Sequence, residues 1–200
     1  MTIDPNTTTL DSYEGHIQQY VDVTPHEIND DLRAWIDKTL SRIPKGARIL
    51  EIGSGFGRDA DYIERAGYNI IRSDAAKGFV DLLRKAGHKA YVLNALTEPL
   101  GGPYAMVFAD AVFLHFTPAQ LAIVLSKANR AMPPGGVLAC SLKLGDGDSL
   151  ATGRFGAPRF FHYWQEPALT AALRAAGFPK VEITIATNLD QKWLMVIATK

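Results

Sequence analysis

The chain is poor in cysteine, in net charge and in long apolar runs, and each shortage excludes a class of protein. Among its 200 residues Cys140 is the one cysteine, so no intrachain disulfide can form and a role in core packing is favoured. Lysine plus arginine and aspartate plus glutamate both number 21, which argues against a nucleic-acid or anionic-lipid surface. No apolar run approaches the roughly 20 residues that span a bilayer, and the polar N-terminus lacks a secretory signal pattern. We therefore expect a single cytoplasmic domain without membrane contact.

Familiar metal-binding and nucleophile patterns are missing as well. No cluster of cysteine and histidine has the spacing of a zinc site. The segment Gly145-Asp146-Gly147-Asp148 resembles part of a calcium loop, but it lacks the twelve-residue spacing and the terminal glutamate. No Gly-x-Ser-x-Gly nucleophile elbow occurs. We therefore assign no metal to the chain.

The first 45 residues predict helices ahead of any strand. Residues 1–10 are rich in threonine and are expected to be loose. Tyr13, Ile17, Tyr20 and Val21 recur at helical spacing and predict a first helix over residues 11–21. The run Thr24-Pro25-His26-Glu27 has the form of a capping box and predicts the start of a second helix.

From Ala47 onward, strand and helix patterns alternate. Apolar, β-branched segments predict strands at residues 49–52, 69–73, 90–93, 104–109 and 137–144, and helical patterns separate them. A capping box at Thr117-Pro118-Ala119-Gln120 predicts the start of one of these helices. Such alternation favours right-handed crossovers and a parallel sheet with helices on both faces. The last two strands, 181–187 and 193–199, are joined too tightly for a crossover and must be antiparallel. We therefore predict a doubly wound α/β fold whose seven-stranded, mostly parallel sheet ends in an antiparallel hairpin.

A glycine loop follows the first strand. The stretch from Ile49 to Asp59 runs from buried strand to helix through Gly53, Gly55 and Gly57. Because glycine lacks a Cβ, such a loop lets a ligand contact main-chain N–H groups. A dinucleotide fingerprint would have its third glycine where this chain has Arg58. The spacing observed here, preceded by Glu51, resembles motif I of the class I S-adenosylmethionine-dependent methyltransferases, while a dinucleotide-binding or unliganded Rossmann-like turn stays an alternative.

That resemblance covers about residues 47–200 and implies the fold, the cofactor and a set of site residues. It implies a Rossmann-like methyltransferase core over residues 46–200 that binds S-adenosyl-L-methionine and releases S-adenosyl-L-homocysteine. Residues 1–45 then form a helical arm, or lid, of the same domain. The expected cofactor-binding residues are Tyr20, Glu51, Gly53, Ser54, Gly55, Arg58, Asp74, Ala75, Asn94, Ala95, Leu96, Asp110 and Ala111.

For three of these positions we expect a particular contact with the cofactor. Asp74 ends the second strand, where a carboxylate can accept hydrogen bonds from both ribose hydroxyls of an adenosine. A helix-capping aspartate is the alternative. Asn94 stands where the family more often has aspartate, and its amide oxygen can accept from the adenine amine. Arg58 can meet the cofactor's carboxylate, or be a surface arginine.

The segment after the fourth strand leads to His115, which by Brändén's rule lies near the transferred methyl group. Its expected role is general base or substrate-orienting group, and the alternative is a histidine that bonds the start of the next helix. An aromatic stretch over residues 154–164 is expected to wall a substrate pocket, or else to pin a loop to the sheet. The expected substrate contacts are Tyr13, His115, Arg159, His162 and Tyr163.

The resemblance thus implies methyl transfer to an oxygen, nitrogen or sulfur nucleophile of a small molecule. A non-catalytic protein that binds the same cofactor is an alternative, and an NAD-dependent oxidoreductase is a further one. The expected partners are a small-molecule acceptor and, at most, a second copy of the chain.

Overall fold

The computed structural model describes residues 4–152, 156–188 and 190–200, and one large sheet organises them. Its strands are β1 (Arg48–Ile52), β2 (Asn69–Asp74), β3 (Ala90–Val92), β4 (Met106–Ala109), β5 (Val137–Lys143), β8 (Lys180–Asn188) and β9 (Gln191–Thr199). Two further strands, β6 (Asp148–Ala151) and β7 (Arg159–His162), pair with each other in a small separate sheet.

The seven strands lie in the order β3-β2-β1-β4-β5-β9-β8. β9 runs antiparallel to both of its neighbours, and the other described pairings in this sheet are parallel. The predicted fold class is therefore confirmed, including the antiparallel hairpin. Strand order reverses between β1 and β4, and this is the position where an open α/β sheet opens a crevice for ligands.

Seven α-helices surround these strands in the part of the chain that the structure describes. They are α1 (Pro5–Glu14), α2 (Ile17–Val23), α3 (Asp30–Leu40), α4 (Arg58–Arg65), α5 (Lys77–Lys85), α6 (Pro118–Arg130) and α7 (Glu166–Ala175). The predicted capping box at Thr117 is present at the start of α6. Of the helices described, none is long and apolar enough to cross a membrane.

Alternating side chains of the central strands build a core on each face of the sheet. Leu50 and Val107 belong to the cluster that includes α6 and α7, whereas Ile49 and Met106 belong to the cluster that includes α3 and α4. This period of two is the geometry of a pleated strand buried on both faces. Cys140 lies in the first cluster, where burial raises the pKa of its thiol.

The N-terminal arm differs from the sequence prediction in three places. The helix expected over residues 11–21 is interrupted, because α1 ends at Glu14 and α2 begins at Ile17. Residues 5–10 were expected to be loose, but α1 begins at Pro5, and Asp4 caps it by accepting the Thr7 N–H at 2.9 Å. α3 was expected to begin at Thr24, but it begins after Asn29, whose Oδ1 accepts the Leu32 N–H at 2.8 Å. Two capping signals compete in this segment, and the later one is followed directly by two acidic residues in the first helical turn.

The β6–β7 sheet was not predicted. Residues 154–164 were expected to form an aromatic loop, but Phe160 and Phe161 lie in β7 instead. α1 packs against this strand: Thr9 Oγ1 accepts the Phe160 N–H at 3.1 Å, and the Ser12 hydroxyl donates to the Pro158 carbonyl. The small sheet therefore anchors the arm beside the carboxyl ends of the central strands. Arg154 and Phe155, part of the predicted aromatic stretch, lie outside the described residues.

The start of α3 gives a direct test of the observed cap. Asn29→Ala removes the acceptor of the Leu32 N–H, so we expect the free energy of unfolding to fall by about 1 kcal/mol. Glu27→Ala is the matched control, since Glu27 would sit in the first turn of a helix begun at Thr24 but lies outside α3. Denaturant titration that finds Glu27→Ala the more destabilising of the two would place the helix start at Thr24.

Candidate active site

The glycine loop follows β1 with a left-handed backbone at each of its three glycines. The φ angles are +75° at Gly53, +53° at Gly55 and +95° at Gly57. A Cβ at Gly53 would lie 2.3 Å from Val112 Cγ2, whereas the nearest atom to a Cβ at Gly55 is 3.9 Å away, on the Tyr20 ring. Gly53 therefore lacks a side chain because Val112 packs there, and the space above Gly55 stays open for a ligand.

Asp74 lies at the end of β2, next to this loop. Its carboxylate accepts the N–H of Gly55 and the N–H of Ala76, both at 2.9 Å. Burial raises the pKa of Asp74 to about 6, although these backbone donors act in the opposite direction. α5 begins after Ala76, so Asp74 is not its N-cap residue.

A divided cavity opens where these strands end. The small compartment has a volume of about 90 Å³, and the large compartment about 630 Å³. Tyr13 and Tyr20 of the arm line both, together with the glycine loop. The small compartment also contacts Asp74, and the large one opens towards β7 through Arg159 and Phe161.

Asn94 lines the small compartment, and both the oxygen and the nitrogen of its side-chain amide form hydrogen bonds. Its Oδ1 accepts the Leu96 N–H at 3.0 Å, and its Nδ2 donates to Oδ1 of Asn6 at 3.0 Å. Asn6 belongs to α1 and is itself buried. The arm thus contributes a polar side chain beside the position that the sequence assigned to adenine.

A group of acids surrounds Arg58 at the other side of the loop. Arg58 Nε lies 2.8 Å from Asp59 and its Nη2 lies 3.3 Å from Asp110, which also accepts the Ser141 hydroxyl at 2.5 Å. Burial, followed by the charge of Asp59, raises the pKa of Asp110 to about 7. Glu51 is buried behind the loop, and burial raises its pKa to about 8. The mixture of one cation and several carboxyls suits a zwitterionic ligand end such as an amino acid.

His115 lies in a short 3₁₀ turn after β4 and joins the arm to β7. Its Nδ1 is 2.6 Å from the Phe160 carbonyl oxygen, and because a carbonyl can only accept, Nδ1 carries the hydrogen. Nε2 then presents its lone pair to the Tyr13 hydroxyl, 3.0 Å away, and Tyr13 Oη in turn accepts from Arg159 Nη1 at 3.1 Å. Burial lowers the pKa of His115 to about 3, so the ring is neutral at physiological pH.

The hydrogen bonds of His115 differ from the alternative role that the sequence left open. Its ring nitrogens bond Phe160 in β7 and Tyr13 in α1, rather than the start of α6. The start of α6 is satisfied by Thr117 and Gln120 instead.

The structure brings most of the sequence-predicted residues to this cavity. Of the expected cofactor residues, Glu51 and Leu96 line neither compartment, while the other eleven do. Among the expected substrate residues, Tyr13, His115 and Arg159 come together. His162 and Tyr163 line neither compartment: His162 is 2.5 Å from Asp148 across the small sheet, and Tyr163 packs against Gly145.

Other lining residues were not predicted. Lys143 is the last residue of β5, just as Asp110 comes directly after β4. Because ligands bind beyond the carboxyl ends of parallel strands, this position could have been used to predict Lys143. Phe161 lies within residues 154–164, the aromatic stretch expected to wall a substrate pocket, but it was not named individually. Asn6 had no such signal, because the first turn of α1 was not predicted.

A separate group of potential metal ligands lies outside this cavity. One ligand atom from each of Asp61, Glu64 and His88 lies within 4.8 Å of the others. Arg72 already pairs with both carboxylates, at 2.7 Å and 2.8 Å. This group is therefore accounted for as an ion-pair network around a buried arginine.

The sequence is similar to known methyltransferases. A family model described as a methyltransferase domain matches residues 25–183. Ubiquinone biosynthesis O-methyltransferase of Dinoroseobacter shibae is 28% identical over 169 residues, which cover 74% of this chain and 67% of that protein. The protein of the same name from Azorhizobium caulinodans is 29% identical over 157 residues, covering 70% and 61% of the two chains.

Solved structures of methyltransferases share the fold. The 1,6-didemethyltoxoflavin-N1-methyltransferase of Burkholderia thailandensis, which contains S-adenosylhomocysteine, has a TM-score of 0.69 and 18% identity, covering 95% of this chain and 84% of its own. Magnesium protoporphyrin IX methyltransferase of Synechocystis, with bound S-adenosylmethionine, has a TM-score of 0.72 and 14% identity, covering 100% and 99%.

Asp74 provides the test of the cofactor position. Asp74→Ala should weaken binding of S-adenosylhomocysteine by about 1–3 kcal/mol, the usual cost of losing a hydrogen bond to a charged group. Asp81→Ala, an exposed carboxylate on α5, is the control and should leave the affinity unchanged. Equal affinities for wild type and Asp74→Ala in isothermal titration calorimetry would contradict the assignment.

Proposed function

This chain belongs to the class I S-adenosylmethionine-dependent methyltransferases, and we propose that it methylates a hydroxyl oxygen of a small molecule. The observation that carries the choice of oxygen is His115, a buried and neutral histidine whose Nε2 is a hydrogen-bond acceptor beside both compartments. The O-methyltransferases among the relatives agree with this choice.

The residues of the cavity fit the cofactor. The open space above Gly55 accepts a ligand against bare backbone, and the small compartment offers Asp74 and Asn94 to an adenosine. Arg58 and Asp110 suit the charged amino-acid end. When bound, S-adenosylmethionine supplies a methyl group made electrophilic by its sulfonium.

The neutral state of His115, which burial favours, bears on which nucleophile it can assist. A hydroxyl that accepts a methyl group becomes an oxonium, which is acidic enough to give its proton even to a weak base. An amine attacks in its neutral form without help from a base, so a neutral histidine such as His115 offers it no advantage. His115 therefore assists a hydroxyl acceptor and gives little assistance to an amine.

Tyr13 and Phe160 support this role by fixing the imidazole. The Phe160 carbonyl sets the tautomer through Nδ1, as a second group commonly does for a functional histidine. In the proposed complex the acceptor hydroxyl takes the place of the Tyr13 hydroxyl at Nε2, or reaches Nε2 through it. Methyl transfer then depends mainly on orientation and on the exclusion of water.

A substitution at His115 tests this proposal. His115→Asn keeps a donor for the Phe160 carbonyl but lacks Nε2, so we expect turnover to fall by about 10²–10⁴-fold with little change in cofactor affinity. The measurement is transfer of a labelled methyl group to an acceptor found by screening hydroxylated small molecules.

His162→Ala is the matched control for that experiment. His162 was an expected substrate contact but lines neither compartment, so turnover should stay near that of wild type. A fall in turnover of less than about tenfold in His115→Asn would contradict the proposed role. Methylation of amines in preference to hydroxyls would contradict it as well.

The arm acts as a cover over the acceptor in the same proposal. None of the described residues 4–23 belongs to the buried apolar clusters of the core. Deleting residues 1–22 should therefore leave a cooperative thermal transition, while turnover falls because water reaches the reacting groups. A deletion variant as active as wild type, or one that does not fold, would refute the cover.

A further inference from the structure

We propose that the methyl acceptor is a small aromatic acid, whose carboxylate is held by Lys143 and Arg159 while its hydroxyl points to Tyr13 and His115. This inference rests on the proposed function and specifies its substrate class. It comes from the distribution of charge and of aromatic rings inside the large compartment.

Two cations converge on one ring of that compartment. Lys143 Nζ lies 3.9 Å from the centroid of the Phe161 ring, and Arg159 Cζ lies 5.1 Å from the same centroid. All three residues line the large compartment. Arginine presents a planar fork of donors and lysine a compact charge, and together they suit a carboxylate.

The same ring ties the cations to the reacting groups. The centroids of Phe161 and His115 are 4.9 Å apart, and Arg159 donates to the Tyr13 hydroxyl. The positive charges of Arg159 and Lys143 both act to lower the pKa of His115. Lys143, Arg159 and His115 therefore all contact one ring, that of Phe161.

Two acids of the large compartment lie around a different residue. Asp59 and Asp110 pair with Arg58. Glu27 belongs to the segment whose Pro25 carbonyl accepts from Arg58 Nη1. Asp59 and Asp110 thus lie at Arg58, whereas Lys143 and Arg159 lie at Phe161.

The walls and volume favour a planar acceptor. Besides Phe161, the large compartment is lined by the rings of Tyr13, Tyr20, Phe56 and Trp193. Its volume of about 630 Å³ is within the range of small-molecule sites and must also hold one end of the cofactor. A planar acceptor of one or two rings suits the aromatic walls and leaves room in that volume for the cofactor.

The test compares acids with their uncharged amides. In the presence of saturating S-adenosylhomocysteine, 3-hydroxybenzoate, 4-hydroxybenzoate and 3,4-dihydroxybenzoate are titrated calorimetrically beside the matching benzamides. We expect at least one acid to bind at least tenfold more tightly than its amide. Lys143→Gln should remove most of that preference and leave amide binding unchanged, and Lys143→Arg should restore it.

Lys180→Gln, at the exposed start of β8, is the matched control and should keep the preference for the acid. Acids and amides of equal affinity, no binding of any acid, or an unchanged preference in Lys143→Gln would each overturn the proposal. A protein that fails to bind S-adenosylhomocysteine fails the proposed function instead, and methylation of an amine with the acid preference intact would overturn only the choice of oxygen.

Discussion

Burial at the carboxyl edge of the sheet disfavours every charge that the site places there. Desolvation raises the pKa values of Glu51, Asp74 and Asp110 and lowers that of His115, in each case as the largest contribution. Backbone N–H groups, Arg58 and the Ser141 hydroxyl oppose this effect for the acids. The site therefore holds three carboxyl groups whose pKa values are raised towards neutral pH. A bound ligand with complementary charge can change which of them carry protons.

The arm and the small sheet pack together beside this edge. α1 bonds β7 through Thr9 and Ser12, and it places Tyr13 over His115 and Asn6 over Asn94. Both compartments thus share one wall, so the position of the arm bears on the cofactor and on the acceptor together. In the proposed function, that arrangement would link binding of the two substrates through a single element.

Most residues carried by the parallel sheet could be predicted from sequence. Tyr13, Tyr20 and Arg159 could also be named in the arm and the small sheet, whereas the strand that holds Phe161 and the polar face of α1 could not. Gly53, Asp74 and Asp110 follow from strand ends that long apolar patterns define. Phe161 lies in a four-residue strand flanked by arginine and histidine, which gives little alternation to detect. α1 buries Asn6, Thr9 and Ser12, so it lacks the apolar periodicity by which an amphipathic helix is recognised.

The buried polar face of α1 also affects how the arm can detach. Heat-capacity changes in proteins follow the apolar surface that becomes exposed to water. Asn6, Thr9 and Ser12 exchange hydrogen bonds with the protein for hydrogen bonds with solvent, and α2 has no buried residue at all. Lifting α1 and α2 would also separate the rings of Tyr13 and Tyr20 from Phe79, so the heat capacity of such an opening would come mainly from this aromatic contact and little from the polar face.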